Sequence, residues 1–142
     1  MPDVAELASE LRLAVHRLTR RMRQEDHPVH ALTLTQMSAL SVIWREGPLT
    51  AGELAAKEQV KPPSITRVVS ALEQAGLVTR QGNPSDGRQV LVAITDSGVA
   101  EVESLVRARE LWLGHQLAQL SQRDRAVLEK ATGILDRLAA SG

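Results

Sequence analysis

Lys61-Pro62-Pro63-Ser64-Ile65-Thr66-Arg67-Val68-Val69-Ser70-Ala71-Leu72 holds two cations, three hydroxyls and no acid. Wound as a helix, the stretch sets Ile65, Val68, Val69 and Leu72 at i, i+3, i+4 and i+7, a compact face to bury. The opposite face carries Arg67, Ser70, Ala71 and Gln74, with Pro63, Ser64 and Thr66 near its start. Small side chains there let a backbone approach a major groove. A few donors then meet base edges and phosphates, and no carboxylate repels them. The free N–H groups of a first turn also favour anions. Further on, Arg80 and Arg88 flank Gly82-Asn83-Pro84-Ser85-Asp86-Gly87, a run dense in turn formers. The candidates for contacting double-stranded DNA are therefore Ser64, Thr66, Arg67 and Arg88, with Lys61, Pro63, Ser70 and Arg80 in support.

Other chemistry lacks its parts. The four histidines, His16, His27, His30 and His115, form no close pair on one helix face, and there is no Cys. No metal site is expected, and disulfides and thiol redox sensing are excluded. The chain has no Gly-x-Ser-x-Gly, no Walker loop and no dinucleotide glycine pattern. It reads as a protein that is not an enzyme and needs no cofactor.

Charge sharpens the picture. Seventeen Lys and Arg balance seventeen Asp and Glu, so no global field draws in nucleic acid and any attraction is local. Residues 45–92 hold six basic and five acidic side chains. That predicts a shallow salt dependence and specificity that leans on shape. The arginine run Arg17, Arg20, Arg21, Arg23 reads as a solvated helix face, with added contacts to the DNA backbone as the alternative.

These residues need elements to position them. At 142 residues, the chain suits one domain, or one domain plus an oligomerisation arm. With 43% hydrophobic and 24% charged residues it is an ordinary globular sequence. Trp44 and Trp112 are its two aromatics, so the core must be aliphatic and alanine-rich. No apolar run approaches the roughly 20 residues that span a bilayer. The acidic, amphipathic N-terminus is unlike a signal peptide, and a cytoplasmic location without membrane contact is expected.

A first helix is predicted from Val4 to about Gln24, with an apolar stripe at Leu7, Leu11, Ala14 or Val15, Leu18 and Met22. Asp26-His27-Pro28 breaks it. A second helix starts at Thr33 or Thr35, with Thr33 and Gln36 as a capping box, and ends at Glu46-Gly47-Pro48. A short third begins at Thr50, with Glu53 completing a second box, and runs to about Glu58. The fourth, opened by the prolines, stops at Gly76. Two strands, Leu77 to Gln81 and Gln89 to Ile94, pair through a longish tip. Thr95-Asp96 caps a long fifth helix, and Ser121 with Asp124 starts the last. The fold class is mainly α with a small β-hairpin wing, a winged helix-turn-helix plus a helical dimerisation region. The boundaries are 1–32, an N-terminal dimerisation helix and linker; 33–95, the DNA-binding unit; and 96–142, the C-terminal dimerisation helices. The flanking helices carry apolar stripes that a domain this small cannot bury alone, which points to a homodimer.

Taken in order, these stretches resemble the MarR family of bacterial transcriptional regulators along nearly the whole chain. The likeness rests on Leu34-Thr35 and Leu40, on Leu49-Thr50-x-x-Glu53-Leu54-Ala55, and on Ser64-Ile65-Thr66-Arg67-Val68-Val69-x-x-Leu72-Glu73-x-x-Gly76-Leu77-Val78-x-Arg80. The strongest piece is Asn83-Pro84-Ser85-Asp86-Gly87-Arg88-x-x-Leu91-Val92-x-Ile94-Thr95-x-x-Gly98. Family members usually carry Asp where this chain has Asn83. The resemblance implies a homodimeric regulator, a repressor, that binds a palindromic promoter element. It also implies a wing arginine in the minor groove and release by a small molecule. The family's ligand pocket lies between the dimer helices and the winged unit. Here His16, Arg20, Trp44 and Trp112 would be near it, suiting an aromatic or carboxylated effector. The alternative is a winged helix that mediates protein association without DNA.

Overall fold

The computed structural model describes residues 1–27 and 30–142. Pro28, assigned above to the break after the first helix, lies outside the described residues. In chain order the elements are α1 (Val4–Arg23), α2 (Leu34–Glu46), β1 (Leu49–Thr50), α3 (Ala51–Glu58), α4 (Pro62–Gln74), β2 (Val78–Asn83), β3 (Asp86–Ile94), α5 (Asp96–Ala118) and α6 (Gln122–Ala139). The chain divides into two compact units: His27–Arg107, and Met1–Asp26 together with Ala108–Gly142.

In the unit His27–Arg107, the helix starts follow their capping residues. Thr33 accepts the Gln36 amide at 3.1 Å while the Gln36 side chain accepts the Thr33 amide at 3.0 Å, a complete reciprocal box. The second box forms by half. Thr50 Oγ1 accepts the Glu53 amide at 3.1 Å, but the Glu53 carboxylate meets the Thr50 hydroxyl rather than its backbone N–H. Thr50 is at the same time a strand residue, paired with Leu91.

The sheet is three-stranded and antiparallel, in the order β1-β3-β2, where the sequence predicts two strands. β1 is only two residues long and runs straight into a helix cap, too short to show any alternation. The hairpin is also longer than expected. Val78 pairs with Ile94 and the ladder runs on to Asn83 opposite Asp86, with an irregularity at Gly82/Asn83. The tip is thus Pro84-Ser85 alone.

The core of this unit is aliphatic. Leu40 and Ile43 of α2, Leu54 of α3, Ile65, Val69 and Leu72 of α4, Leu77, and Val92 of β3 are fully buried. Each such side chain contributes about 1.5–3 kcal/mol when removed from water. At the base of the wing, Gly98 is buried, and a Cβ there would collide with the Leu77 carbonyl oxygen and Ile94 Cγ1. Only glycine fits, which accounts for its place at the end of the wing motif.

The other unit consists of α1, the end of α5 and α6, and neither α1 nor α6 buries a single residue. Leu111 is 66% exposed and Val127 60%, and Leu7, Leu18, Leu128, Ile134 and Leu138 are exposed as well. Two polar ties join α1 and the segment just after it to α5. Arg109 donates from Nε and Nη2 to the two carboxylate oxygens of Asp26 at 2.8 and 2.7 Å. These hydrogen bonds raise the guanidinium pKa further; burial opposes the rise, and the Asp26 charge adds to it. Arg21 lies over the Trp112 ring, 4.4 Å from its centroid, and bonds Glu25 at 2.8 Å. Arg21 is thus a packing residue and not merely part of a solvated arginine face.

Candidate nucleic-acid interface

α3 and α4 form the helix-turn-helix, and the turn is built from backbone bonds. Gln59 adopts the left-handed conformation at φ 54°. Its amide reaches Ala56 O at 3.3 Å, and the Val60 amide reaches Ala55 O at 3.0 Å. These are the paired bonds of a Schellman stop, closed by Gln where Gly is usual. The same motif ends α4 at Gly76, φ 77°, with Gly76 N–H to Glu73 O and Leu77 N–H to Leu72 O, both 3.0 Å. Leu77 is thereby buried as the strand begins, and α4 and the wing are set by one turn.

α4 turns Ile65, Val69 and Leu72 into the core, with Val68 half-buried. Lys61, Pro63, Ser64, Thr66 and Arg67 are exposed; Ser70 and Ala71 are half-buried. The structure therefore brings the acid-free residues onto one open face. One expectation changes. Pro62 and Pro63 have no N–H, and the Ser64 amide already bonds Lys61 O at 3.0 Å, so the first turn offers few free donors to an anion. Side chains, not the helix end, must make any contact with phosphate.

Arg88 stands exposed on β3 beside the tip, and its own amide donates to Asp86 Oδ1 at 3.0 Å. Arg80 on β2 is engaged within the unit. Its Nε donates to Glu73 at 3.3 Å and its Nη2 to Ser70 Oγ at 3.3 Å, tying the wing to α4. Glu73, the first acid after the open face, is thus neutralised. Lys57 is paired with Glu46 at 2.8 Å. Among the described residues, Lys61, Arg67 and Arg88 belong to no ion pair.

Sequence reasoning missed three positioning groups. Glu73 lies seven residues before Arg80 across a turn, and that spacing alone signals nothing. Asn83 Oδ1 accepts the Ser85 amide at 2.9 Å and its Nδ2 donates to Gln89 at 2.8 Å, which braces the tip. An Asn two residues before a Ser in a turn is a recognisable signal for the first of these bonds. Gln59 carries no such mark.

The residues expected near an effector fall in both units. His16, Arg20 and Trp112 belong to the unit of α1 and α6, and there Trp112 meets Arg21 while His16 and Arg20 are exposed. Trp44 belongs to the winged unit, on α2, and is 37% exposed. No helix among the described residues is long and apolar enough to cross a membrane.

Known proteins share this arrangement. The MarR family model matches residues 32–90. An HTH-type transcriptional regulator of Mycobacterium tuberculosis (strain CDC 1551 / Oshkosh) is 44% identical over 131 residues, 92% of this chain and 91% of that one. The HTH-type transcriptional repressor MdtR of Bacillus subtilis is 25% identical over 127 residues, 87% of this chain and 82% of that one. The structure of a MarR family protein from Bacillus stearothermophilus is similar with a TM-score of 0.81 at 28% identity, covering 97% of this chain and 96% of that one. A helix-turn-helix with an open, acid-free second helix, an arginine-bearing wing and a relative matched along nine-tenths of its length place this chain in the MarR family of transcriptional regulators, which bind DNA and are not enzymes.

Proposed function

We propose that the protein is a homodimeric repressor that binds a palindromic promoter element and leaves it when a small aromatic or carboxylated molecule binds. The observation that carries the DNA contact is the open face of α4, where Ser64, Thr66 and Arg67 are exposed with no acid among them, on the same unit as Arg88 of the wing. Ser64, Thr66 and Arg67 meet base edges and phosphates in the major groove, and Arg88 enters the neighbouring minor groove. Lys61 and Pro63 flank the start of the helix. Ser70 and Arg80 hold the wing against it.

Homodimerisation is supported by the exposed apolar residues of α1, α5 and α6, which a second copy would cover. A two-fold pair presents its reading helices to half-sites about one turn, ~34 Å, apart. Repression is favoured by the likeness to the Bacillus subtilis repressor. Such a ligand would release DNA only through unequal affinity for the bound and free forms.

Fluorescence anisotropy with duplex from upstream of the protein's own gene tests the reading. Saturable binding is expected, with a stoichiometry of two chains per duplex. Binding no tighter than to a scrambled duplex overturns the operator assignment. A monomer in sedimentation at micromolar concentration overturns the dimer.

A further inference from the structure

Thr66 lies on the exposed side of α4, yet its hydroxyl is turned back into the helix. Oγ1 donates to the Pro62 carbonyl oxygen at 3.0 Å. A threonine has one hydroxyl proton, and here it is committed to a backbone acceptor one turn earlier. The side chain cannot give a hydrogen to a base edge without losing that bond. It still offers oxygen lone pairs and the Cγ2 methyl. Its neighbours differ. Arg67 is in no ion pair among the described residues, and Ser64 is exposed, so donors are at hand on either side. Between them Thr66 is the position whose donor is already used.

We propose that Thr66 is a specificity residue that recognises thymine, its Cγ2 methyl packing on the 5-methyl group of the base in the major groove. Thymine alone presents a methyl on that edge. The contact needs no hydrogen-bond donor and removes two small apolar groups from water. It suits a helix whose small side chains let the backbone approach closely. This inference rests on the reading that α4 enters the major groove.

The test uses the full chain. Duplexes are enriched from a random-sequence pool, and each thymine of the enriched site is replaced singly by uracil, which deletes only the 5-methyl. One thymine in each half-site is expected to weaken binding about fourfold, the effect of one buried methyl. Thr66→Val keeps a methyl and should retain the uracil penalty. Thr66→Ser keeps the hydroxyl, removes the methyl from both subunits and should lose affinity about sixteenfold, the single-uracil effect taken twice, while becoming indifferent to uracil at that position. If no uracil substitution matters, or if Thr66→Ser keeps the penalty, the thymine assignment is overturned while DNA binding stands. Loss of affinity in Thr66→Val with none in Thr66→Ser would assign the contact to the oxygen and overturn it equally. A pool that yields no enriched duplex removes the DNA-binding reading, and this inference with it.

Discussion

The hydroxyl of Thr95 donates to the Gly76 carbonyl oxygen at 2.6 Å and accepts the Gly98 amide at 3.1 Å. One side chain thus closes the turn after the reading helix and caps the long helix that follows the wing. Thr95→Val removes both bonds and is expected to cost about 1–2 kcal/mol, the sum of a lost cap and a stranded carbonyl. Thr95→Ser should recover most of it. Urea unfolding of the three proteins measures the difference, and an unchanged midpoint in Thr95→Val would refute the dual role.

Gln59 holds a left-handed backbone at φ 54° that suits glycine better. Gln59→Gly should stabilise the chain by about 0.5–1 kcal/mol, the strain relieved less the entropy glycine loses. A fall in the unfolding midpoint would mean that the Gln side chain makes a stabilising contact.

Arg67 and Arg88 are open, while Arg80 is tied to Glu73. Replacing Arg67 or Arg88 by Ala should flatten the plot of log affinity against log salt by about one unit for each subunit on the duplex, hence about two for the proposed dimer. Glu73→Gln frees Arg80 from its ion pair and should steepen the plot instead. Parallel plots for all three variants would show that these charges do not face the duplex.

Asn83 braces the wing tip through Ser85 and Gln89. Asn83→Ala is expected to speed hydrogen exchange at the Ser85 amide and to weaken DNA binding about three- to tenfold, the scale of a lost hydrogen bond. Overall stability should hold, because the tip contributes nothing to the core. Asn83→Asp keeps the acceptor for Ser85, so its exchange should stay slow. Fast exchange in Asn83→Asp would trace the bracing to the Gln89 bond instead.

The legible parts of this fold are those with a repeating physical cause. α4 could be read from the spacing of Ile65, Val68, Val69 and Leu72, and its end from Gly76. Thr33 and Gln36 announced the start of α2, and the β-branched run of β3 announced a strand. β1 left no trace because two residues show no period, and pairing with Leu91 is visible only once the sheet exists. Of the interface, the exposed residues of α4 were legible as one helical face. The ties that fix them were not. Arg80 with Glu73 depends on a turn geometry, and Arg21 with Trp112 joins residues far apart in the chain. The hydroxyl of Thr66 looked like a donor in the sequence, and its bond to Pro62 appears only with the helix wound.

Lys57 and Arg80 are already held by acids, so the winged unit has few cations with which to grip a duplex of arbitrary sequence. Background chromosome therefore offers this protein little to cling to. Its search should proceed mostly by collisions from solution and not by gliding along the double helix, and its occupancy of a promoter should owe more to correct fit than to long-range pull.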